Sequence, residues 1–265
     1  MMSFFSTSQM DNFYEAFASG AVKPSSVMNF IQHLYIAERC PKGASVLDVC
    51  CGRALMVPLL KRHAPDIALY VGLDISFTNL GEAQGMIKQK DMALPFPCYF
   101  IQGDVTQVSS LLTKQFDLII YTSSLEHLDR QSGILSLHQV SKALSEDGVL
   151  YLSTPRTVRD PSYKLQYKVH VYEWDREELE EVLNEVGLTI VECIGLLPPP
   201  NAILSQLIEA RFGMSARTWF REMRRLIPSA FLDPVMAACF PEVAKELLYI
   251  CKRRDSYEEP WRNSG

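Results

Sequence analysis

Apolar positions along this chain switch period repeatedly. After Pro24-Ser25-Ser26, the residues Val27, Phe30, Ile31 and Leu34 recur at i, i+3, i+4 and i+7, the spacing of one helix face. A shorter amphipathic stretch surrounds Phe13 and Phe17. Five compact apolar runs then read as buried strands: Ser45–Val49, Leu69–Asp74, Cys98–Ile101, Phe116–Tyr121 and Val149–Ser153, the last closed by Thr154-Pro155. Helical spacing fills the intervals, with Leu55, Leu59 and Leu60 after the first strand and a stretch to about Lys88 after the second. Leu137, Val140 and Leu144 mark another helix, stopped by Asp147-Gly148. Asp175 and Glu178 have the spacing of a capping box, and Leu179, Val182, Leu183 and Val186 line one face before Gly187. Leu188–Ile194 is a sixth strand and Glu246–Lys252 a seventh.

Strands alternating with helices at this spacing predict an α/β fold with a doubly wound, mainly parallel sheet of seven strands. The expected organisation is an N-terminal helical segment over 1–40, a core over 41–195 and 246–252, a helical insertion over 196–245 before the last strand, and a tail over 253–265. The insertion begins at Pro198-Pro199-Pro200 and is punctuated by Gly213, Pro228 and Pro234.

Composition narrows the class. With 265 residues, 48% hydrophobic and 22% charged, the chain can bury a sizeable core, which excludes disorder and fibrous repeats. No apolar run reaches the roughly 18–20 residues of a membrane span, so no membrane partner is expected. Met1-Met2-Ser3-Phe4-Phe5 lacks the basic start of a secretory signal. Net charge is −5, which disfavours bulk nucleic acid as a partner. The seven cysteines, with Cys50 and Cys51 adjacent, form no disulfide framework and no zinc spacing, and point to a reducing, cytoplasmic setting.

In doubly wound sheets, ligands sit beyond the carboxyl ends of the strands. Three acids fall there: Asp48 before the small-residue turn Cys50-Cys51-Gly52-Arg53-Ala54, Asp74 ending the second strand and Asp104 following the third. Singly, each reads as a cap or turn residue; together they read as a binding edge.

These residues resemble the class I S-adenosylmethionine (SAM)-dependent methyltransferases, a Rossmann-like family. Its first motif, an apolar strand, an acid and then G-x-G-x-G, is matched by Val46-Leu47-Asp48-Val49-Cys50-Cys51-Gly52-Arg53-Ala54, with Cys50 and Ala54 in place of two glycines. Leu73-Asp74-Ile75-Ser76 resembles the second motif and Gln102-Gly103-Asp104-Val105 the third. The resemblance implies SAM as cofactor, ribose contact by Asp74, adenine contact by Asp104, and further contacts from Asp48, Cys50, Gly52, Ile75, Val105 and Tyr121. A nicotinamide enzyme shares the first signature, but the missing glycines and the Gly103-Asp104 pair tell against it.

Two histidines, His127 and His170, fall at the cofactor end of the sheet and are the candidate general bases. Glu126, His127 and His170 resemble three of four metal ligands of small-RNA 2′-O-methyltransferases, with Ser123 where the fourth, a carboxylate, is expected; hydrogen bonds fixing the loop are the structural alternative. No metal is assigned. Arg217, Arg221, Arg224 and Arg225 gather on one helical face of the insertion, either a solvated face or a clamp for an anionic acceptor. Trp219, Phe220, Phe231 and Met236 suit packing or a homodimer contact. The reading is methyl transfer, at oxygen, to a small sugar-pathway or secondary metabolite. An RNA 2′-O-methyltransferase with a divalent metal and a non-catalytic SAM-binding scaffold are the alternatives.

Overall fold

The computed structural model describes residues 24–89, 93–157 and 168–254, together with residues 15, 16, 18, 19 and 165. Helix α1 (Pro24–Glu38) leads into β1 (Ser45–Val49), α2 (Met56–His63), β2 (Leu69–Asp74), α3 (Phe77–Gln89) and β3 (Cys98–Gln102). The single turn α4 (Val108–Leu111), β4 (Phe116–Thr122), α5 (Arg130–Ala143) and β5 (Leu144–Thr157) follow. Next come β6 (Trp174–Asp175), α6 (Arg176–Glu185), β7 (Leu188–Leu197), α7 (Asn201–Phe212), α8 (Met214–Leu226), α9 (Ser229–Cys239) and β8 (Glu246–Arg253).

The strands lie in the order β3-β2-β1-β4-β5-β8-β7, with β6 paired to β5 off this path. Strands β1 to β5 are parallel, and β8 runs antiparallel between β5 and β7. All five residues of β1 are buried, because it is paired on both sides and covered on both faces. Alternation sorts the faces. Leu47, Val49, Ile119 and Tyr121 pack toward Leu137 and Val140 of α5 and Leu179 and Leu183 of α6. Val46, Tyr70, Leu118 and Ile120 pack toward Met28 and Ile36 of α1 and Met56 and Leu60 of α2. The doubly wound expectation holds, and strand order reverses between β1 and β4, where such sheets open their ligand crevice.

The insertion forms three helices with a small core of their own, built from Leu204, Ile208, Phe220, Leu232, Met236 and Phe240. It is seated on the sheet through Gly195, where an added Cβ would lie 2.0 Å from the Ala237 carbonyl oxygen, so only glycine lets α9 approach β7 this closely.

Several boundaries differ from the sequence reading. The helix expected to reach Asp147-Gly148 ends at Ala143, because Leu144 already pairs with Phe116 ahead of a bulge in β4–β5. Strand β5 continues through Pro155 to Thr157, since β8 pairs along it as far as Pro155↔Glu246. An eighth strand, the two-residue β6, joins the seven expected, and β7 runs three residues further, to Leu197. The capping box is only half formed. Asp175 accepts from the backbone N–H groups of Glu177 and Glu178, but the Glu178 carboxylate turns to Arg130 and Tyr172 instead. The amphipathic stretch at Phe13 and Phe17 and the tail beyond Arg254 lie outside the described residues.

Candidate active site

The crevice is floored by the turn after β1. Cys50, Gly52 and Ala54 have φ of 56°, 53° and 54°, so the left-handed backbone that glycine normally supplies is present at all three motif positions despite two side chains. A left-handed non-glycine residue costs roughly 1–2 kcal/mol, which surrounding contacts must offset. Those contacts are visible: Cys51 N–H donates to the Leu73 carbonyl (3.0 Å), Gly52 N–H to Asp74 Oδ2 (2.8 Å) and Ala54 N–H to the Cys51 carbonyl (2.8 Å). Gly72 makes room for Cys51, whose Sγ would lie 2.8 Å from any Cβ there.

The strand-end acids take distinct places. Asp74 is buried and bridges two loops, its Oδ1 accepting from Ser76 N–H at 2.8 Å while Oδ2 holds Gly52. Asp48 accepts from the Tyr70 hydroxyl at 2.7 Å, and burial pushes its carboxyl up to about 7, with the Asp74 charge adding to the rise and the Tyr70 bond opposing it. Asp104 caps the turn that follows β3, its Oδ1 accepting from both Thr106 N–H and Thr106 Oγ1 at 2.8 Å. Among the described residues its Oδ2 has no hydrogen-bond partner. Ile75 is 68% exposed beyond the end of β2, and Phe77, which the sequence reading passed over, is 76% exposed beside it.

Burial raises both thiols of this turn: Cys50, under Asp74, Asp48, Asp104 and Glu126, reaches about 12, and Cys51 rises further. Val105, just after β3, and Tyr121, near the end of β4, are buried. Tyr121 is fully buried with its hydroxyl 3.0 Å from Ser136 Oγ of α5, and Val105 packs in the same layer.

A cavity of about 190 Å³ opens between this turn, α1 and the end of β4, lined by Asp48, Cys50, Gly52, Asn29, Gln32 and His33 among others. Its polar wall is a network that sequence reasoning missed. Gln32 Nε2 donates to Asn29 Oδ1 (2.9 Å) and lies 3.4 Å from Ser123 Oγ, and His33 Nε2 is 3.3 Å from Thr122 Oγ1. Burial lowers His33 to about 4, so its imidazole is neutral. Ser123, at φ 49°, also reaches Glu246 Oε1 of β8 at 3.3 Å. Burial, with Glu126 and Glu173 nearby, pushes Glu246 up to about 8.

Glu126, His127 and His170 come together, but none of them lines this cavity. Glu126 is buried, accepts from Thr154 Oγ1 at 3.1 Å, and is raised by burial against the pull of its backbone hydrogen bond, His127 and His170. His170 is joined to the buried Glu173 through Nδ1, and the two histidine rings meet edge to face at 5.4 Å. His127 Nδ1 lies 3.2 Å from the Val169 carbonyl, which can only accept, so Nδ1 donates there and Nε2 faces away from this bond. No group of three or more His, Cys, Asp or Glu side chains among the described residues is arranged to hold a metal ion. No described helix is long and apolar enough to cross a membrane.

The arginine cluster is mostly partnered: Arg217 with Glu209, Arg224 with Asp233 and Arg225 with Glu222.

Residues 28–193 match the sequence family described as "Methyltransferase domain", and the chain belongs to it. Its fold is that of the class I SAM-dependent methyltransferases, whose cofactor is S-adenosylmethionine. Among solved structures, a SAM-dependent methyltransferase from Clostridium acetobutylicum superposes with a TM-score of 0.55 at 13% identity, covering 93% of this chain and 98% of that one. The [4+2]-cyclase SpnF gives 0.56 at 14% identity, over 85% of this chain and 80% of its own. The small RNA methyltransferase HEN1 gives 0.59 at 16% identity, over 88% of this chain but 26% of that longer one. No curated protein matches by sequence.

Proposed function

We propose that the protein transfers a methyl group from SAM to the oxygen of a small-molecule acceptor. The observation that carries this reading is the left-handed backbone kept at Cys50, Gly52 and Ala54, directly under three strand-end acids. That cradle fits the cofactor: the Cβ of any residue at position 52 would meet no protein atom within 4 Å, so the space above the turn is open. Asp74 would hold the ribose hydroxyls, the free Oδ2 of Asp104 the adenine amine, Ile75 a face of the base, and Asp48 with the Cys50–Gly52 backbone the amino-acid end. When bound, the cofactor supplies a methyl group on a cationic sulfur, so the chain's own work is to orient the acceptor and manage one proton.

A cavity of about 350 Å³ suits the acceptor. It lies between α1, β7 and α9, lined mainly by apolar residues including Met28, Ile31, Ile194, Leu196 and Pro234, and Gln32 borders both it and the smaller cavity. Its volume is within the roughly 300–1,000 Å³ of small-molecule sites. The insertion roofs this cavity through α9, which supports a role in selecting the acceptor. His127, beside the buried Glu126–His170–Glu173 group, lines neither cavity, so it serves as general base only for an acceptor whose hydroxyl extends beyond them toward the end of β4.

Titration calorimetry with S-adenosylhomocysteine, SAM and NAD, followed by a screen of hydroxylated metabolites for S-adenosylhomocysteine release, tests the reading. Binding of NAD alone overturns it; SAM binding without turnover of any acceptor favours the scaffold role, a live alternative because SpnF carries the same fold with a different reaction in its name. Activity that EDTA abolishes and magnesium or manganese restores would favour the RNA 2′-O-methyltransferase reading, for which the likeness to HEN1 is the supporting observation.

A further inference from the structure

The groove between α7 and α8 is larger than either cavity just described, at about 620 Å³, and serves neither the cofactor nor the acceptor in the reading above. Its chemistry is one-sided. Arg217, Arg221 and Arg224 line it and no acidic side chain does, in a chain whose net charge is −5. Arg217 is paired with Glu209 and Arg224 with Asp233. Arg221, one helical turn from each, forms no ion pair among the described residues. Ser205 and Thr218 also line the groove, their hydroxyls without a hydrogen bond among the described residues, and Phe220 adds apolar lining.

We propose that this groove binds the phosphate group of a small phosphomonoester, with Arg221 as its principal ligand, Arg217 and Arg224 as flanking donors, and Ser205 and Thr218 as neutral donors. A phosphate dianion offers more acceptor sites than a carboxylate and matches the planar fork of a guanidinium. Because Glu209 and Asp233 already offset the charges of Arg217 and Arg224, the net attraction for a phosphate comes from Arg221, while the paired guanidinium groups contribute spare N–H donors.

The experiment is titration calorimetry of the full chain with phenyl phosphate, and with phenol as the neutral control. Phenyl phosphate should bind one per chain and phenol should not. Arg221→Ala should weaken phenyl phosphate about tenfold or more, the size of a lost charge-assisted contact. Arg221 has no ion-pair partner among the described residues, so the variant should keep its melting temperature. Arg225→Ala is the deciding control, since Arg225 is on the same helix but does not line the groove. Affinity unchanged by Arg225→Ala supports the site; equal weakening by both variants shows a diffuse field and overturns it, as does absence of binding. In a parallel arm, single-stranded RNA whose affinity grows with length and falls with Arg225→Ala would mark an extended nucleic-acid face and overturn the proposal as well. S-adenosylhomocysteine affinity should be the same in all variants, so failure of this proposal and failure of the methyltransferase reading are read separately.

Discussion

Replacing Asp48 with asparagine tests the electrostatics of the crevice directly. The Asp48 carboxyl rises from 3.8 to about 7, chiefly through burial. Its native state therefore holds a proton that the unfolded chain releases near pH 4. The stability this group contributes is complete below about pH 4 and is lost as pH climbs through about 7. At about 1.4 kcal/mol per pH unit, the interval from 3.8 to about 7 corresponds to an upper value on the order of 4 kcal/mol. Asparagine cannot ionise, and its Oδ1 still accepts from Tyr70. Asp48→Asn should thus match the wild type near pH 4 and exceed it by roughly 2–4 kcal/mol at pH 8. Urea unfolding of both proteins at four pH values between 4 and 8 gives the difference at each. A difference that stays flat across that range would refute the reasoning. Because Asp48 also lines the small cavity, the same variant should bind S-adenosylhomocysteine more weakly.

Glu246→Gln should follow the same sign, gaining on the wild type progressively as pH rises from 4.5 to about 8, since burial raises Glu246 across that interval; the unfolding series checks it. Gly52→Ala meets no protein atom, so it should lower the melting temperature by only about 2–4 °C, a backbone cost near 1 kcal/mol, while weakening S-adenosylhomocysteine about tenfold or more by calorimetry. Gly195→Ala must displace the α9 backbone from β7, and should cost about 1–3 kcal/mol and expose residues 201–240 to limited proteolysis; an unchanged digestion pattern would remove the argument for that close approach.

The frame of the crevice was legible because strands covered on both faces are continuous apolar runs, and each acid after such a run marks a strand end. Asp48, Asp74 and Asp104 stand where that rule puts them. Tyr121 stands near the carboxyl end of β4 as expected, and alternation adds that its side chain shares the α5 face with Ile119. The polar wall could not be read in advance. Gln32 and Ser123 are 91 residues apart and Ser123 and Glu246 are 123 apart, and only the packing of α1 and β8 against the end of β4 joins them. Helical spacing alone also gave no reason to separate His33, which borders the cavity, from His63 and His138. The arginines were legible as a cluster, but their partners Glu209 and Asp233 sit on neighbouring helices.

The two sulfur side chains in the turn after β1 have a consequence for chemical self-protection. A thiolate beside a methyl sulfonium is an alkylation hazard. Burial, with nearby carboxylates adding to it, holds the Cys50 thiol far above its ordinary value, so the sulfur stays protonated and inert toward a methyl sulfonium.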